Sequence, residues 1–421
     1  MKVATCFHMH SHSLLFFVVV LTGTPFVALT GTSDQETAKT ICKELVLQNC
    51  RSVFVSPNRT NLRFSVFKVA KEGMLTQLNW LVELIQTQKN QTPKTIIFCP
   101  TMYAVASVFN FLLMKSGPKA YYPEDSRKKE HCLLGIFHSL THQEYKERVV
   151  ESLKGNGLKR IIVATTALSM GVNFPDIRYV IMWGPPRSLL DFHQEAGRAG
   201  RDGLPADIVT YLYGQQLTHC EDDMKSFLKS SECHRITSYK NFDDSIASLS
   251  PSHDCCNHCA ATCTCTGSGC VQEAKPFEKE CLQDSGQQTR VVSAEEKKLI
   301  NEALNELKDK FKSSVGVSPF GSTSCHGFSE ELICDVVDNC HHIFTISDIQ
   351  AFVPVFSNHH AIKILEILSE IFDDIDSVAL ANQVHYSSET TEQVDGFEYL
   401  IVSDYPDPDL DEESTDLDFV E

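Results

Sequence analysis

The sequence lacks the features of a membrane-embedded or disordered protein. Its longest unbroken apolar run, Leu14–Leu21, is far shorter than the roughly 20 residues that a membrane-spanning helix requires. No internal repeat is present, and 42% hydrophobic with 22% charged residues is ordinary for a globular protein. We therefore expect a globular chain, whose 421 residues give room for two to four domains of ~100–200 residues each.

The sequence also lacks the positive net charge that a nucleic-acid partner would favour. The formal net charge is −18, but nine of the acidic residues lie between Asp404 and Glu421, where no Lys or Arg occurs. Outside this stretch the net charge is only −9, so the charge of the whole chain does not decide the class of partner. We predict that residues 403–421 form a disordered acidic tail with an unknown protein partner.

A third absence concerns nucleotide hydrolysis. No G-x-x-x-x-G-K-[ST] loop, which would cradle phosphates, occurs in the chain. The only Asp-Glu pair, Asp411–Glu412, lies in the acidic tail, so no candidate pair of magnesium-binding acids is apparent. We therefore predict that this chain alone does not hydrolyse ATP.

Cysteine, in contrast, is abundant and clustered. Of the 17 cysteines, six fall within sixteen residues: Cys255, Cys256, Cys259, Cys263, Cys265 and Cys270. Clustering favours a metal site, and Cys256-x-x-Cys259 supplies the close pair that zinc sites use. Disulfides in a secreted chain are the alternative, because residues 1–30, with Lys2 before the apolar run, have the outline of a signal peptide.

Between about Thr22 and Leu217, short β-branched runs alternate with amphipathic stretches. Such alternation with apolar strands favours a parallel sheet covered by helices on both faces. The predicted strands are Phe26–Leu29, Ser52–Val55, Thr95–Phe98, Arg160–Ala164, Tyr179–Trp183 and Val209–Tyr213, and helices between them include Met74–Gln88 and His142–Lys154. We therefore predict an α/β fold.

The pattern changes after Leu217. Residues 218–270 combine short polar helices with the cysteine cluster, and residues 271–292 are predicted to be a linker. Ser293–Glu296 is a capping box ahead of a helical stripe, and Ser329–Asn339 and His360–Ile375 have one apolar face each. These helices predict a small C-terminal unit over residues 293–402, more suited to packing or partner binding than to gripping duplex DNA, because it is acidic.

Two arginines lie three residues apart in the string Gln194–Gly203 (QEAGRAGRDG). A guanidinium in such a place can neutralise the γ-phosphate of a nucleotide as charge develops in the transition state. The small residues allow a close backbone approach, and a solvated basic turn is the alternative. The candidates are Gln194, Arg198 and Arg201 for catalysis and Gly197 and Gly200 for nucleotide binding.

A second polar string, Ala164–Asn173 (ATTALSMGVN), follows the strand predicted at residues 160–164. Open α/β sheets bind ligands at the carboxyl ends of their strands. Thr165 and Thr166 can contact a phosphate backbone, and Gly171 and Asn173 are candidates for nucleotide binding. An ordinary turn with Thr as a helix cap is an equally good alternative.

Together these strings resemble the RecQ family of superfamily 2 helicases, densely from about Thr22 to Cys263. Several of the family's motifs have counterparts in the expected order. Ala28–Thr32 resembles motif III, Asn58–Leu62 the start of the second lobe, Thr95–Thr101 motif IV, residues 164–173 motif V and residues 194–203 motif VI, while His138 and Asp176 match further family positions.

The resemblance implies a RecA-like, doubly wound second lobe, a helical zinc-binding platform and the activity of an ATP-dependent 3′–5′ DNA helicase of the repair and recombination type. It makes Arg201 the arginine finger and Arg198 a second phosphate-facing charge. It also adds Thr101 to Thr165 and Thr166 as contacts to single-stranded or forked DNA.

For zinc, the resemblance adds an upstream ligand, Cys233, to Cys256, Cys259 and Cys263. The last gap is one residue longer than in the family's pattern. Three further residues therefore remain as substitutes: Cys255, His258 and Cys265.

Motifs I and II of the family's first lobe have no counterpart in this sequence. ATP with Mg²⁺ is therefore expected to bind only with a complementing first lobe, supplied in trans. The resulting division is residues 1–21 unmatched, 22–56 the end of a first lobe, 57–217 the second lobe and 218–270 the zinc-binding subdomain, followed by the linker, the helical unit and the tail. We expect a nuclear protein without a membrane partner. The alternative to the helicase function is a non-catalytic module that binds nucleic acid or a protein.

Overall fold

In the computed structural model, the described residues are 35–44, 51–279, 289–314, 328–355 and 358–375, apart from positions 52, 72, 125, 127, 156, 170–172, 267, 268 and 373. The strand predicted at Phe26–Leu29, the resemblance at Ala28–Thr32, Gly171 and the acidic tail lie outside them. Among the helices of these ranges, none combines the length and apolarity that crossing a membrane requires.

Six strands form one parallel sheet in the order β1-β6-β5-β2-β4-β3. They are β1 (Leu62–Lys68), β2 (Thr95–Phe98), β3 (Leu134–Phe137), β4 (Ile161–Ala164), β5 (Tyr179–Trp183) and β6 (Ala206–Leu212). β2, β4 and β6 are buried along their whole length, which is typical of strands covered on both faces. The predicted α/β fold class is confirmed.

Alternate strand residues divide the core between the two faces of the sheet. Ile96, Ile162 and Val180 face one apolar cluster, and the next residue of each strand faces the other. The first face is covered by α4 (Gln143–Lys154), α5 (Leu189–Ala196) and α6 (Asp222–Lys229), and the second by α2 (Asn79–Gln88) and α3 (Met102–Ser116). A further helix, α1 (Gln35–Glu44), lies before the sheet in the chain.

Residues 233–270, which we call the cysteine-rich segment, cover the outer edge of β1. The segment contains α7 (His234–Tyr239) and α8 (Asn257–Ala261). The backbone N–H of Phe64 donates to the carbonyl of Cys255 at 3.3 Å. The side chain of Asn257 bonds both the N–H and the carbonyl of Val66, at 3.3 and 3.0 Å. Because an open strand edge can pair with other chains, these hydrogen bonds protect the outer edge of β1.

Residues 271–279, which we call the strap, return to the sheet. Phe277 is fully buried, and its ring lies 5.6 Å from the ring of Trp80 and 6.2 Å from that of Tyr179. Glu278 forms an ion pair with buried Arg63 at 2.6 Å. The predicted linker 271–292 is therefore wrong at Phe277 and Glu278, which pack on the lobe, whereas residues 271–274 are exposed.

The C-terminal unit is helical, as predicted, and packs on the lobe. Its helices are α9 (Ala294–Ser314), α10 (Glu330–Asn339), α11 (Ile346–Phe352) and α12 (Asn358–Ile371), which share one apolar core. Lys229 on α6 pairs with Asp335 on α10 at 2.7 Å. A Cβ at Gly214 would overlap the carbonyl of Val353, so only glycine allows this close approach of the unit to the lobe.

The strands predicted at Thr95–Phe98 and Tyr179–Trp183 are confirmed, and those at residues 160–164 and 209–213 are confirmed with shifted bounds, as β4 and β6. The prediction at Ser52–Val55 is wrong. Residues 53–55 are irregular, and Val53, Phe54 and Val55 are exposed.

Candidate functional site

Residues 197–203, which we call the arginine loop, follow directly after α5 and carry both candidate arginines. Arg198 is buried, whereas Arg201 lies at the surface. Arg201 donates from Nε to the carbonyl of Gly197 at 2.9 Å and from Nη1 to Oδ1 of Asn173 at 2.7 Å. The structure thus joins the two polar strings that the sequence singled out. Gln194 lies half-buried on the last turn of α5, beside the loop.

The pKa values of both arginines are lowered in the fold. Burial lowers the pKa of Arg198 to about 10, and the nearby charge of Arg201 adds to this effect. Burial also lowers the pKa of Arg201. Both groups remain cationic at neutral pH, so the loop holds two neighbouring positive charges that an anion would stabilise.

The glycines of the loop are required by its own packing. Gly200 has φ of +53°, and a Cβ there would come within 2.9 Å of the Leu204 carbonyl. A Cβ at Gly197 would lie 2.8 Å from the carbonyl of His193. Gly197 and Gly200 were predicted from the sequence as nucleotide-binding residues, and the structure gives them a role in closing the turn.

Two further side chains hold the arginine loop by hydrogen bonds, and neither was assigned a role from the sequence. Arg59 donates from Nη1 to the carbonyl of Ala199 at 2.8 Å. Asn61 donates from Nδ2 to the carbonyls of Gly200 and Leu204, each at 2.8 Å. Both belong to the string 58–62 that resembles the start of the second lobe, and this resemblance was the one available signal.

Helix α5 lies between the arginine loop and α7. His193 is buried, its Nε2 is 2.7 Å from the carbonyl of Ser238, and its ring stacks on Tyr239 with centroids 4.2 Å apart. Burial lowers the pKa of His193 to about 4, so the ring is neutral at physiological pH. Burial raises the pKa of the neighbouring Glu195 to about 8. The helix that leads to the loop is therefore fixed by a buried, uncharged histidine.

Arg235 links α7 to the same support. Its side chain is fully buried and donates to Oδ1 of Asn58, to the carbonyl of Arg59 at 3.2 Å and to the carbonyl of Leu62. Its guanidinium also lies 5.1 Å from the centre of the Phe64 ring. A continuous set of hydrogen bonds thus connects the cysteine-rich segment, through Arg59, with the arginine loop.

The candidate nucleic-acid contacts lie where the parallel strands end, at the carboxyl edge of the sheet. Thr101 follows β2 and caps α3 by accepting the N–H of Ala104 at 3.1 Å. Thr165 and Thr166 follow β4, which pairs with β2. His138 follows β3, the next strand. Because the strands are parallel, these residues share the carboxyl edge, where open α/β sheets bind ligands.

The chain after β4 joins this edge to the arginine loop. Thr165 lies at the carboxyl edge, whereas Asn173 lies near the amino end of β5, where it accepts the hydrogen bond from Arg201. Asp176 is held in the same region by an ion pair with Lys94 at 2.8 Å. The segment between β4 and β5 thus carries both a candidate nucleic-acid contact, Thr165, and a hydrogen-bond partner of Arg201, Asn173. Gly171 lies outside the described residues.

Four cysteines meet at the ends of α7 and α8. The ligand atoms of Cys233, Cys255, Cys256 and Cys259 all lie within 4.8 Å of one another. Cys233 Sγ is 3.5 Å from that of Cys255 and 4.0 Å from that of Cys256, near the separation of about 3.8 Å for thiolates at ~2.3 Å from tetrahedral zinc. Interactions with the neighbouring thiols of Cys233 and Cys255 lower the pKa of Cys256. The donor set fits zinc.

Three of the four predicted zinc ligands therefore come together, and one does not. Cys263 lies apart from Cys233, Cys256 and Cys259 in a separate group with His253, Cys265 and Cys270. Cys255, which sequence reasoning kept as a substitute, takes the fourth place. The linear spacing of the cysteines could not show that Cys255 takes the place of Cys263, because the choice depends on how the chain folds. Helix α8 starts at Asn257, and its first turn brings Cys256 and Cys259 to the same side.

Part of the chain is similar to known helicases. Residues 76–203 match the helicase conserved C-terminal domain. An ATP-dependent RNA helicase of Acanthamoeba polyphaga mimivirus is 33% identical over 190 residues, which are 45% of this chain and 31% of that protein. The ATP-dependent DNA helicase Q-like 2 of Arabidopsis thaliana is 26% identical over 253 residues, or 56% of this chain and 33% of that protein.

A bacterial relative gives the same result. The ATP-dependent DNA helicase RecQ of Haemophilus influenzae is 29% identical over 187 residues, which cover 44% of this chain and 26% of that protein. The similar region thus spans about a third or less of these relatives.

Proposed function

We propose that this chain supplies the second half of the ATP site of a RecQ-type, ATP-dependent 3′–5′ DNA helicase, because residues 76–203 match the helicase conserved C-terminal domain and RecQ-type DNA helicases are among its relatives. The observation that carries the proposal is the arginine loop. It presents Arg201 at the surface beside buried Arg198, on a backbone held by Arg59 and Asn61.

In this proposal Arg201 is the arginine finger. Such a group stabilises the charge that develops on the transferred phosphoryl group, and it acts only on phosphates that other groups have positioned. Arg198 adds a second positive charge, and Gln194 couples the nucleotide to the neighbouring lobe. The bond to Asn173 orients the Arg201 guanidinium before the nucleotide arrives.

The sequence contains no G-x-x-x-x-G-K-[ST] loop that would cradle phosphates. ATP with Mg²⁺ would therefore bind only when a first lobe supplies the phosphate-cradling lysine and the magnesium-binding acids. The residues described here fit the remaining part, which is charge stabilisation from across the cleft.

We further propose that single-stranded DNA crosses the carboxyl edge of the sheet. The hydroxyls of Thr101, Thr165 and Thr166 lie there and would contact sugar and phosphate groups rather than bases. A zinc ion at Cys233, Cys255, Cys256 and Cys259 would hold the helical platform against β1. A nuclear location belongs to the same proposal.

Complementation tests the half-site directly. The full chain is assayed for phosphate release alone and with the first lobe of a RecQ relative as a separate polypeptide, each with and without single-stranded DNA. We expect release only in the complemented, DNA-containing reaction, and a reduction of ~10³-fold or more in that reaction for Arg201→Ala. Arg187→Ala is the matched control, because the Arg187 side chain is 77% exposed and contacts Glu221.

Two outcomes would contradict the proposal. DNA-stimulated release by the chain alone, sensitive to Arg201→Ala, would show that it contains a complete nucleotide site. Absence of turnover after complementation, with DNA binding intact, would favour the alternative function of a non-catalytic nucleic-acid-binding module.

A further inference from the structure

A second group of metal-ligand side chains lies beside the four cysteines proposed for zinc. It consists of His253, Cys263, Cys265 and Cys270, whose ligand atoms all lie within 4.8 Å of one another. His253 Nδ1 is 3.4 Å from Cys263 Sγ and 3.2 Å from Cys270 Sγ. The Sγ atoms of Cys265 and Cys270 are 3.8 Å apart.

These separations are close to those of a metal-bound set. With Zn–S of ~2.3 Å and Zn–N of ~2.0–2.1 Å, tetrahedral geometry gives about 3.8 Å between two sulfurs and about 3.6 Å between sulfur and nitrogen. Three thiols and one imidazole form one of the usual structural zinc sets. We propose that His253, Cys263, Cys265 and Cys270 bind a second Zn²⁺ ion, which shares no ligand with the first site.

The protein orients these ligands through contacts of its own. His253 is buried, and its carbonyl accepts a hydrogen bond from Nε of Arg63 at 2.7 Å. Its Nε2 lies 3.8 Å from a carboxylate oxygen of Asp254, which leaves Nδ1 directed at the thiols. Between Cys265 and Cys270, the N–H and hydroxyl of Thr266 both donate to the carbonyl of Gly269, which holds the backbone positions next to the two cysteines close to each other.

The position of the group gives the ion a structural role. Immediately after Cys270 the strap returns to the sheet, where Phe277 fills the core. Arg63 contacts the chain on both sides of Cys263, Cys265 and Cys270. It donates to the carbonyl of His253 and to the carboxylate of Glu278, the latter at 2.6 Å. An ion that joins His253 to Cys270 would close the loop ahead of the strap and hold Phe277 against Trp80.

Metal content tests this inference. The full chain is purified with a thiol reductant, and zinc per chain is measured by inductively coupled plasma mass spectrometry. We expect two equivalents for the wild type and one for Cys265→Ser/Cys270→Ser, whose thiols are both exposed and replaceable without loss of core packing. Cys334→Ser, at an exposed cysteine on α10, is the matched control and should keep two.

Tryptophan fluorescence gives a second measurement that does not depend on metal counting. The chain has two tryptophans, and Trp80 packs on Phe277. Loss of the second ion in the double variant should loosen the strap and red-shift the emission, whereas the control should match the wild type. An unchanged spectrum despite the loss of one zinc would refute the role in holding the strap.

The two zinc sites fail in distinguishable ways. One equivalent in the wild type that persists in Cys265→Ser/Cys270→Ser, or two that persist there, overturns the second site. A Cys265–Cys270 disulfide found by mass spectrometry in the reduced preparation also overturns it. One equivalent that disappears in this variant supports the second site and instead contradicts the first.

Discussion

Arg235 is the residue at which the platform and the arginine loop are most directly joined, and its replacement gives the sharpest stability prediction. The fully buried guanidinium donates to three oxygen atoms, which are Oδ1 of Asn58 and the carbonyl oxygens of Arg59 and Leu62. No ion pair of Arg235 is among those formed by the described residues. Its charge is therefore compensated by these dipoles and by the Phe64 ring.

Arg235→Met keeps much of the side-chain volume and removes the donors. A buried acceptor left without a partner costs about 1–3 kcal/mol, and the half-buried acceptors cost less because water reaches them. Removing a buried charge returns part of its desolvation cost. Taken together we expect a decrease of about 2–4 kcal/mol in the free energy of unfolding.

Urea unfolding followed by tryptophan fluorescence measures this change, because Trp80 and Trp183 are both buried in the lobe. Arg187→Met is the control, and we expect it within about 0.5 kcal/mol of the wild type, as for exposed ion pairs. Amide hydrogen exchange should also be faster over residues 196–204 in Arg235→Met alone, because Arg59 holds that segment. A change below about 1 kcal/mol with unaltered exchange would refute this account of the coupling.

Two further predictions concern pH and DNA. Because burial raises the pKa of Glu195 from 4.5 to about 8, the folded protein retains a proton that the unfolded chain loses. The Glu195 contribution to the free energy of unfolding should therefore fall as pH rises from 4.5 to 8. Because the lowered pKa of His193 acts in the opposite direction below 6.5, the net fall is expected between pH 6.5 and 8. Glu195→Gln should reduce this slope in urea titrations, and an identical slope would contradict the assignment. Single-stranded DNA binding, measured by fluorescence anisotropy, should weaken with salt and depend little on base sequence. Thr165→Val should lower affinity by roughly fivefold, equivalent to one hydrogen bond of about 1 kcal/mol, with Thr87→Val on α2 as the control; strong sequence preference at physiological salt would contradict backbone recognition.

The sequence predicted the central strands because each contains a run of consecutive apolar or β-branched residues, and it missed β1 because charged and polar residues interrupt that strand. Leu62–Lys68 carries Arg63 and Ser65, which read as surface residues in a linear pattern. Both are buried in the fold, where Arg63 donates to Ser65, Glu278 and the His253 carbonyl. Its partners come from about 190 and 215 residues later in the chain. No local pattern contains that information.

In the candidate site, too, local sequence predicts some residues and long-range contacts determine the others. The chemistry of Arg198, Arg201 and the paired Cys256 and Cys259 could be predicted, because residue type and short spacing carry it. The side chains that hold these groups could not, because they act across the fold. Arg59 reaches a loop about 140 residues away, and the hydrogen bond to the Ala199 carbonyl shows what it does there.

The two proposed zinc sites should stabilise different parts of the lobe. Cys233 immediately precedes α7, which positions Arg235 under Asn58–Leu62 and, through Arg59, under the arginine loop. His253 and Cys270 instead bracket the segment that leads into the strap and its buried Phe277. Loss of the first ion is therefore expected to disturb the half-site for ATP, whereas loss of the second should loosen the aromatic core on the opposite face of the sheet. Because Arg63 and Phe64 are adjacent on β1 and contact the two segments separately, one edge strand transmits both effects without requiring the two ions to share a ligand.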